Sequence, residues 1–312
     1  MRLALMIEGQ EGVTWAQWCA LADACEAHGV ETLLRSDHYI SQSDESGNVA
    51  HDAWTTLAAL AERTTSLRLG TLVSPATFRS PALLANAVAT VDHISGGRIE
   101  LGMGAGWMER EHRAFGFPFP ETPVRMEMFA EQLEIVHRLW TEERVDFRGR
   151  HYTLENAPGL PKPVQTPRPP LLVGGSGTRG TAEPAARFAD EYNSPFVSPD
   201  DYARIRAKVA AACEALGRDP ETMRFSTMTG CLIGSTRDEA LERARRLYGR
   251  VPRELAFEPW LERYEQRSLV GSVDEAAQRL REYEQAGCER VMLQHLLHDD
   301  LEPVRLIGRE LA

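Results

Sequence analysis

Asp37 and His38 are the neighbouring pair in this sequence best suited to moving a proton. An imidazole titrates near neutral pH, so His38 can transfer a proton or donate a hydrogen bond to a ring carbonyl or nitrogen. The pair also suits a histidine at a strand end that local hydrogen bonds hold in place. Two glycine clusters could meet a ligand. In Leu101-Gly102-Met103-Gly104-Ala105-Gly106-Trp107, alternating glycines leave one face without side chains, so the backbone can approach a flat ring or a phosphate. In Gly174-Gly175-Ser176-Gly177, free backbone donors precede a helix N-terminus, an arrangement that binds anions. Either cluster would equally serve as a strand-to-helix turn that needs glycine only for its dihedrals. His112, just beyond the first cluster, is the second candidate histidine, whereas His51, His93, His295 and His298 read as surface or packing residues.

Other chemistries have little support. The first cluster lacks the G-x-G-x-x-G spacing of a dinucleotide fingerprint, and no H-E-x-x-H helix, nucleophile elbow or P-loop occurs. The five cysteines show no C-x-x-C spacing, so neither a disulfide framework nor a metal site is expected. A net charge of −11 and a pI near 5.4 argue against nucleic acid and anionic membranes as partners. The apolar run at the start is too short for a signal peptide, and nowhere do 18 apolar residues follow one another, so a soluble, cytoplasmic protein is expected.

The elements that must position these residues alternate. Strands are expected at 2–8, 30–36, 67–73 and 98–104, with helices at 14–28, 52–64 and 81–93 between them; Thr14 and Gln17 have capping-box spacing, and Gly29 follows the first helix. A polar loop is expected at 41–48. An amphipathic helix at 122–141, a hairpin at 144–154 and a proline-rich loop at 158–170 form an excursion. Strands at 170–173, 190–196, 224–233 and 289–293 then alternate with helices at 178–189, 199–216, 236–249 and 273–286, with a helical stretch at 253–268 and a last helix at 300–311. The pattern predicts a (β/α)8 TIM barrel with loop insertions, a single domain spanning 1–312, in preference to a doubly wound open sheet. Barrels bind ligands at the C-terminal ends of their strands. That rule selects Glu8, Asp37, His38, Thr71, Leu72, Val73, Ser74, Gly104, Ala105, Gly106, Trp107, Gly174, Gly175, Ser176, Gly177, Asn193 and Gln294 as mouth residues.

Three longer segments carry a family likeness: 69–79, 90–98 and 101–107, supported by 52–64, Ala114-Phe115-Gly116-Phe117-Pro118 and 172–177. Together they resemble the bacterial-luciferase-like monooxygenase superfamily. Through Asp37-His38 and the two glycine loops the sequence is similar to the branch that uses the deazaflavin coenzyme F420 rather than FMN. The resemblance implies a deazaflavin laid across the barrel mouth and a bulge with a non-prolyl cis peptide at Leu72-Val73. It implies His38 near the reactive face, and Asp37 bonded to the deazaflavin or orienting His38; these two form the expected catalytic pair. The expected cofactor-binding set is the mouth residues from Asp37 to Gly177, together with His112. It further implies a homodimer.

The sugar-phosphate dehydrogenases of this branch carry an acid after Gly-x-Gly, where this sequence has Trp107, with Glu109 and Glu111 further on. Trp107 therefore reads as the wall of an apolar substrate pocket, or as packing under the loop. The expected activity is hydride transfer between F420 and a small organic substrate. The alternatives are an FMN-dependent monooxygenase of the same fold and a non-catalytic flavin-binding homologue. Specificity is expected to reside in the loops 39–51, 108–120 and 250–268.

Overall fold

The computed structural model describes residues 1–41, 48, 50–250 and 255–311. Among them, eight strands close into a parallel barrel: β1 (Arg2–Ile7), β2 (Thr32–Arg35), β3 (Arg68–Thr71), β4 (Ile99–Gly104), β5 (Leu171–Gly174), β6 (Glu191–Pro195), β7 (Arg224–Gly234) and β8 (Arg290–Gln294). Each pairs with the next in sequence, and β8 returns to β1 with Met6 opposite Gln294. Along β1 the side chains alternate. Ala4 and Met6 join Leu34, Leu72, Leu172, Met228 and Met292 inside the barrel, while Leu3, Leu5 and Ile7 join the core that includes Trp18 and Leu21 of the outer helix α1 (Trp15–His28). Burial on both faces is why the strands read as nearly continuous apolar runs.

Local chemistry sets the helix boundaries. The Thr14–Gln17 capping box opens α1 and Gly29 closes it; Asp52 caps α2 (Ala53–Arg63), and Ser80 with Pro81 opens α3 (Pro81–Ser95). After β4 come the short α4 (Glu109–Phe115) and the long α5 (Thr122–Thr141), and after β5 comes α6 (Arg179–Phe188). The hairpin is antiparallel, Arg144–Arg148 against Thr153–Pro158, and runs longer than the alternation predicts.

Two elements differ from the sequence expectation. The helical stretch predicted at 253–268 is a helix over Phe257–Glu265 followed by a short strand, Ser268–Ser272, paired in parallel with the second half of β7. β7 is 11 residues long and outruns its barrel partners, leaving an edge for that strand to cover. The predicted last helix is α-helical only over Glu302–Leu306 and continues as a wider turn over Ile307–Leu311. Most of the loop expected at 41–48, and the start of the stretch at 253, lie outside the described residues. Among the described residues no helix is long and apolar enough to cross a membrane.

Charge holds the N-terminal end of the barrel. Arg290 Nη1 donates to Glu100 (2.7 Å) and Glu191 (3.2 Å), while Arg68 donates to Glu100 (2.7 Å) and Arg224 to Glu191 (3.1 Å). Burial works against the Glu100 carboxylate, yet the facing Arg290 and Arg68 guanidinium groups bring its pKa from 4.5 to about 2. A hollow of about 610 Å³ at this end is lined partly by Arg68, Glu100 and Arg224, groups already committed to that network.

Candidate active site

The opposite end of the barrel holds a cavity of about 550 Å³, walled by the C-terminal ends of β1 to β7 and the loops after them. His38, two residues beyond Ser36 at the end of β2, forms one side, and Gly175, Ser176, Thr178 and Thr181 at the start of α6 form another. Leu72, Val73, Pro75, Met126, Pro195, Phe196, Val197 and Met228 supply an apolar lining. Glu8 faces the cavity from β1, held by the side-chain amides of Gln10 (2.9 Å) and Gln294 (2.7 Å).

The glycines of β4 and β5 have a different task from the one expected of a bare surface. A Cβ on Gly104 would stand 2.8 Å from Val73 Cγ2, one on Gly174 3.2 Å from Val73 Cγ1, and one on Gly102 2.2 Å from the Thr71 carbonyl oxygen. The glycines therefore make room for the β3 bulge, and the Val73 side chain lies over them as the surface the cavity sees. The Leu72–Val73 peptide is cis, at the position the family resemblance implies. The chain then re-enters the sheet, pairing Ser74 with Met103 and Pro75 with Gly104. Gly106 takes φ +81°, turning the strand toward α4.

His38 is fixed from behind. Its Nδ1 lies 2.8 Å from Glu111 Oε2, and the other oxygen of Glu111 accepts the backbone N–H of Tyr39 and of Ile40 (3.3 Å). Burial disfavours the imidazolium, but the hydrogen bond and charge of Glu111, with the charges of Glu8 and Asp37, hold the His38 pKa above its ordinary value. Trp107 meets the imidazole edge to face, with ring centroids 5.8 Å apart. At 59% exposure Trp107 is a wall of the cavity rather than packing under the loop.

Five residues expected at the cofactor lie behind the cavity wall. Asp37 is buried and accepts from Arg79 Nη1 (2.5 Å) and Ser74 Oγ (2.7 Å); Arg79 also reaches Asp52 (2.7 Å) and Tyr39 Oη (3.1 Å). Ser74 in turn accepts from Trp54 Nε1 at 3.1 Å. The Thr71 hydroxyl donates to the Gly102 carbonyl (3.0 Å), and the Gly177 N–H donates to Tyr192 Oη (2.8 Å). His112 is buried between Thr77 Oγ1 (2.6 Å) and the Met108 carbonyl (2.8 Å), packed among Phe78, Phe117 and Phe119. For Asp37, Thr71 and Ser74 the reason is alternation, which sends every second side chain at a strand end outward. His112, on the helix α4, is instead held by Thr77 and Met108, and Gly177 is drawn back by its bond to Tyr192. The orienting contact expected of Asp37 comes from Glu111. His38, Leu72, Val73, Gly104, Ala105, Gly106, Trp107, Gly174, Gly175 and Ser176 do line the cavity.

Comparison with known proteins places this geometry in a family. The sequence profile of the luciferase-like monooxygenases matches residues 4–290, nearly the whole chain. The chain is a member of the luciferase-like monooxygenase family. It is 34% identical over 169 residues to an F420-dependent glucose-6-phosphate dehydrogenase of Amycolatopsis mediterranei (strain U-32), covering 54% of this chain and 49% of that one. It is 31% identical over 189 residues to an FMNH(2)-dependent dimethylsulfone monooxygenase of Pseudomonas putida, covering 61% and 50%. The chain thus spans about half the length of these two relatives. The crystal structure of monooxygenase RslO1 from Streptomyces bottropensis superimposes with a TM-score of 0.81 at 25% identity, over 100% of this chain and 98% of that one.

Some lining residues of this luciferase-like barrel were not singled out from the sequence. Met126 comes from α5 of the excursion and Phe196 from beyond β6, while Met228 is an inward position of β7 that strand alternation could have found. Thr181, one turn into α6 beyond Thr178, follows from helical spacing.

Proposed function

We propose that this chain is a coenzyme F420-dependent oxidoreductase that transfers a hydride between the deazaflavin and a small, largely apolar organic substrate, acting in the cytoplasm as a homodimer without nucleic-acid or membrane partners. The observation that carries this reading is the form of the cavity. It has an apolar floor at Val73, an imidazole at one side and the start of α6 at the other, and Thr178 makes no side-chain cap to α6. The Thr181 N–H donates to the Thr178 carbonyl (3.0 Å), which leaves the first N–H groups of α6, at Arg179 and Gly180, and the helix dipole to an outside acceptor. The residues suit the group. The volume lies within the range of about 300–1,000 Å³ common to small-molecule sites, Val73 would support the ring, and Gly175, Ser176, Thr178 and Thr181 would hold an anionic end.

A bound deazaflavin supplies a two-electron hydride at the central carbon of its ring. His38 supplies the accompanying proton: when protonated it donates to a substrate oxygen or nitrogen, and in the reverse direction it accepts. Trp107 and Phe196 shield the reacting space from water and favour an apolar substrate, in place of the sugar phosphate named for the Amycolatopsis relative.

The alternative, an FMN-dependent monooxygenase, is supported in its cofactor by the Pseudomonas relative and in its monooxygenase class by the end-to-end likeness to RslO1. Titrating the purified protein with F420 and with FMN, followed by the cofactors' own absorbance and fluorescence, separates the two. Micromolar or tighter F420 binding is expected; FMN binding in that range with no response to F420 would reverse the order.

A further inference from the structure

Glu111 is a buried ionisable group that touches His38 and that the proposed chemistry leaves unused. Its side chain is fully buried, and it sits in the first turn of α4, 73 residues from the histidine it touches. Both oxygens are engaged, one by His38 Nδ1 and the other by the backbone N–H groups of Tyr39 and Ile40. The carboxylate therefore ties the end of the β2 loop to the helix that follows the glycine loop.

We propose that Glu111 is the positioning residue of the site: it fixes the tautomer and direction of the His38 ring so that Nε2 is the nitrogen offered to a substrate. This rests on the reading above that His38 handles the proton accompanying hydride transfer. An ionised carboxylate only accepts hydrogen bonds, so at 2.8 Å the Nδ1 must carry a proton in both charge states of the ring. The titrating nitrogen is then Nε2: a donor toward the cavity when His38 is charged, a lone pair when it is neutral. The charged groups facing the ring are Glu111 from α4, Glu8 from β1 and Asp37 from its own loop, the last already paired with Arg79. All three are acidic, and Glu111 alone makes the contact.

A role confined to clamping the loop predicts something different, and Glu111→Gln separates the two. The amide oxygen can still accept the N–H groups of Tyr39 and Ile40, but the amide NH2 now faces Nδ1. A neutral His38 must then accept at Nδ1 and carry its proton on Nε2, the opposite tautomer, while losing the charge that favours protonation.

The test is 15N NMR of the histidine side chains in the cofactor-free protein, with His38 assigned by its loss in His38→Gln. Because no cofactor is present, failure here is distinct from failure of F420 to bind. In wild type the Nδ1–H tautomer is expected, with a titration midpoint above the ordinary value of about 6.5. In Glu111→Gln the tautomer should switch to Nε2–H and proton affinity fall about tenfold or more, one pH unit, with the melting temperature little changed. A wild-type His38 found as the Nε2–H tautomer, or titrating at or below the ordinary value, would overturn the proposal even if the variant did not fold. The same tautomer and midpoint in both proteins would overturn it as well.

Discussion

Two carboxylates near His38 divide the work that the sequence assigns to one. Asp37 neutralises Arg79 behind the wall, while Glu111 holds the imidazole. Asp37→Ala should therefore act on stability: it removes a buried partner of Arg79, which keeps Asp52, and a loss of about 3 kcal/mol is expected in urea unfolding. Affinity for F420 should stay within about threefold, or ~0.7 kcal/mol. Lost binding with unchanged stability would return Asp37 to the site. His38 was legible because a histidine at a strand end of a barrel faces the mouth, a local signal. Glu111 was not, because its partner is 73 residues away and no spacing marks the pair.

At the scale of elements, the β3 bulge and the glycines of β4 and β5 are one unit, with Val73 seated where side chains are missing. Gly104→Ala would force its Cβ against Val73 Cγ2 at 2.8 Å, and overpacking of this kind costs about 1–3 kcal/mol. F420 affinity should fall with it, because Val73 is displaced into the cavity. Adding Val73→Ala should recover most of the stability, and the double-mutant cycle measures that coupling directly. Additive effects of the two changes would mean that the glycines serve the turn alone. The alternation of strands and helices was readable from apolar runs and caps such as Thr14–Gln17. What escaped was non-local. The strand Ser268–Ser272 exists because β7 outruns its neighbours, and the glycine cluster of β4 answers to a side chain from β3.

Across the whole molecule, the two ends of the barrel carry different loads. The Arg290 network pins the N-terminal end, which leaves the other end free to hold a cavity. Arg290→Met leaves the buried carboxylates of Glu100 and Glu191 with only the partly exposed Arg68 and Arg224 as partners, and should cost about 3 kcal/mol. The folded-state pKa of Glu100 is lowered from 4.5 to about 2. Its contribution is therefore complete above pH 4.5 and disappears as pH falls toward 2. Urea midpoints measured across that window should drop steeply in wild type and less steeply in Glu100→Gln; equal slopes would remove Glu100 from the acid response. The claim on which the functional account rests is that the cavity between His38 and α6 seats a flat redox ring. A crystal structure of the protein grown with F420 tests it directly. The account predicts the ring against Val73, with His38 on its open face and reacting atoms of a bound substrate about 3–3.5 Å apart. A ring bound outside the rim, or His38 turned away from its face, would contradict it.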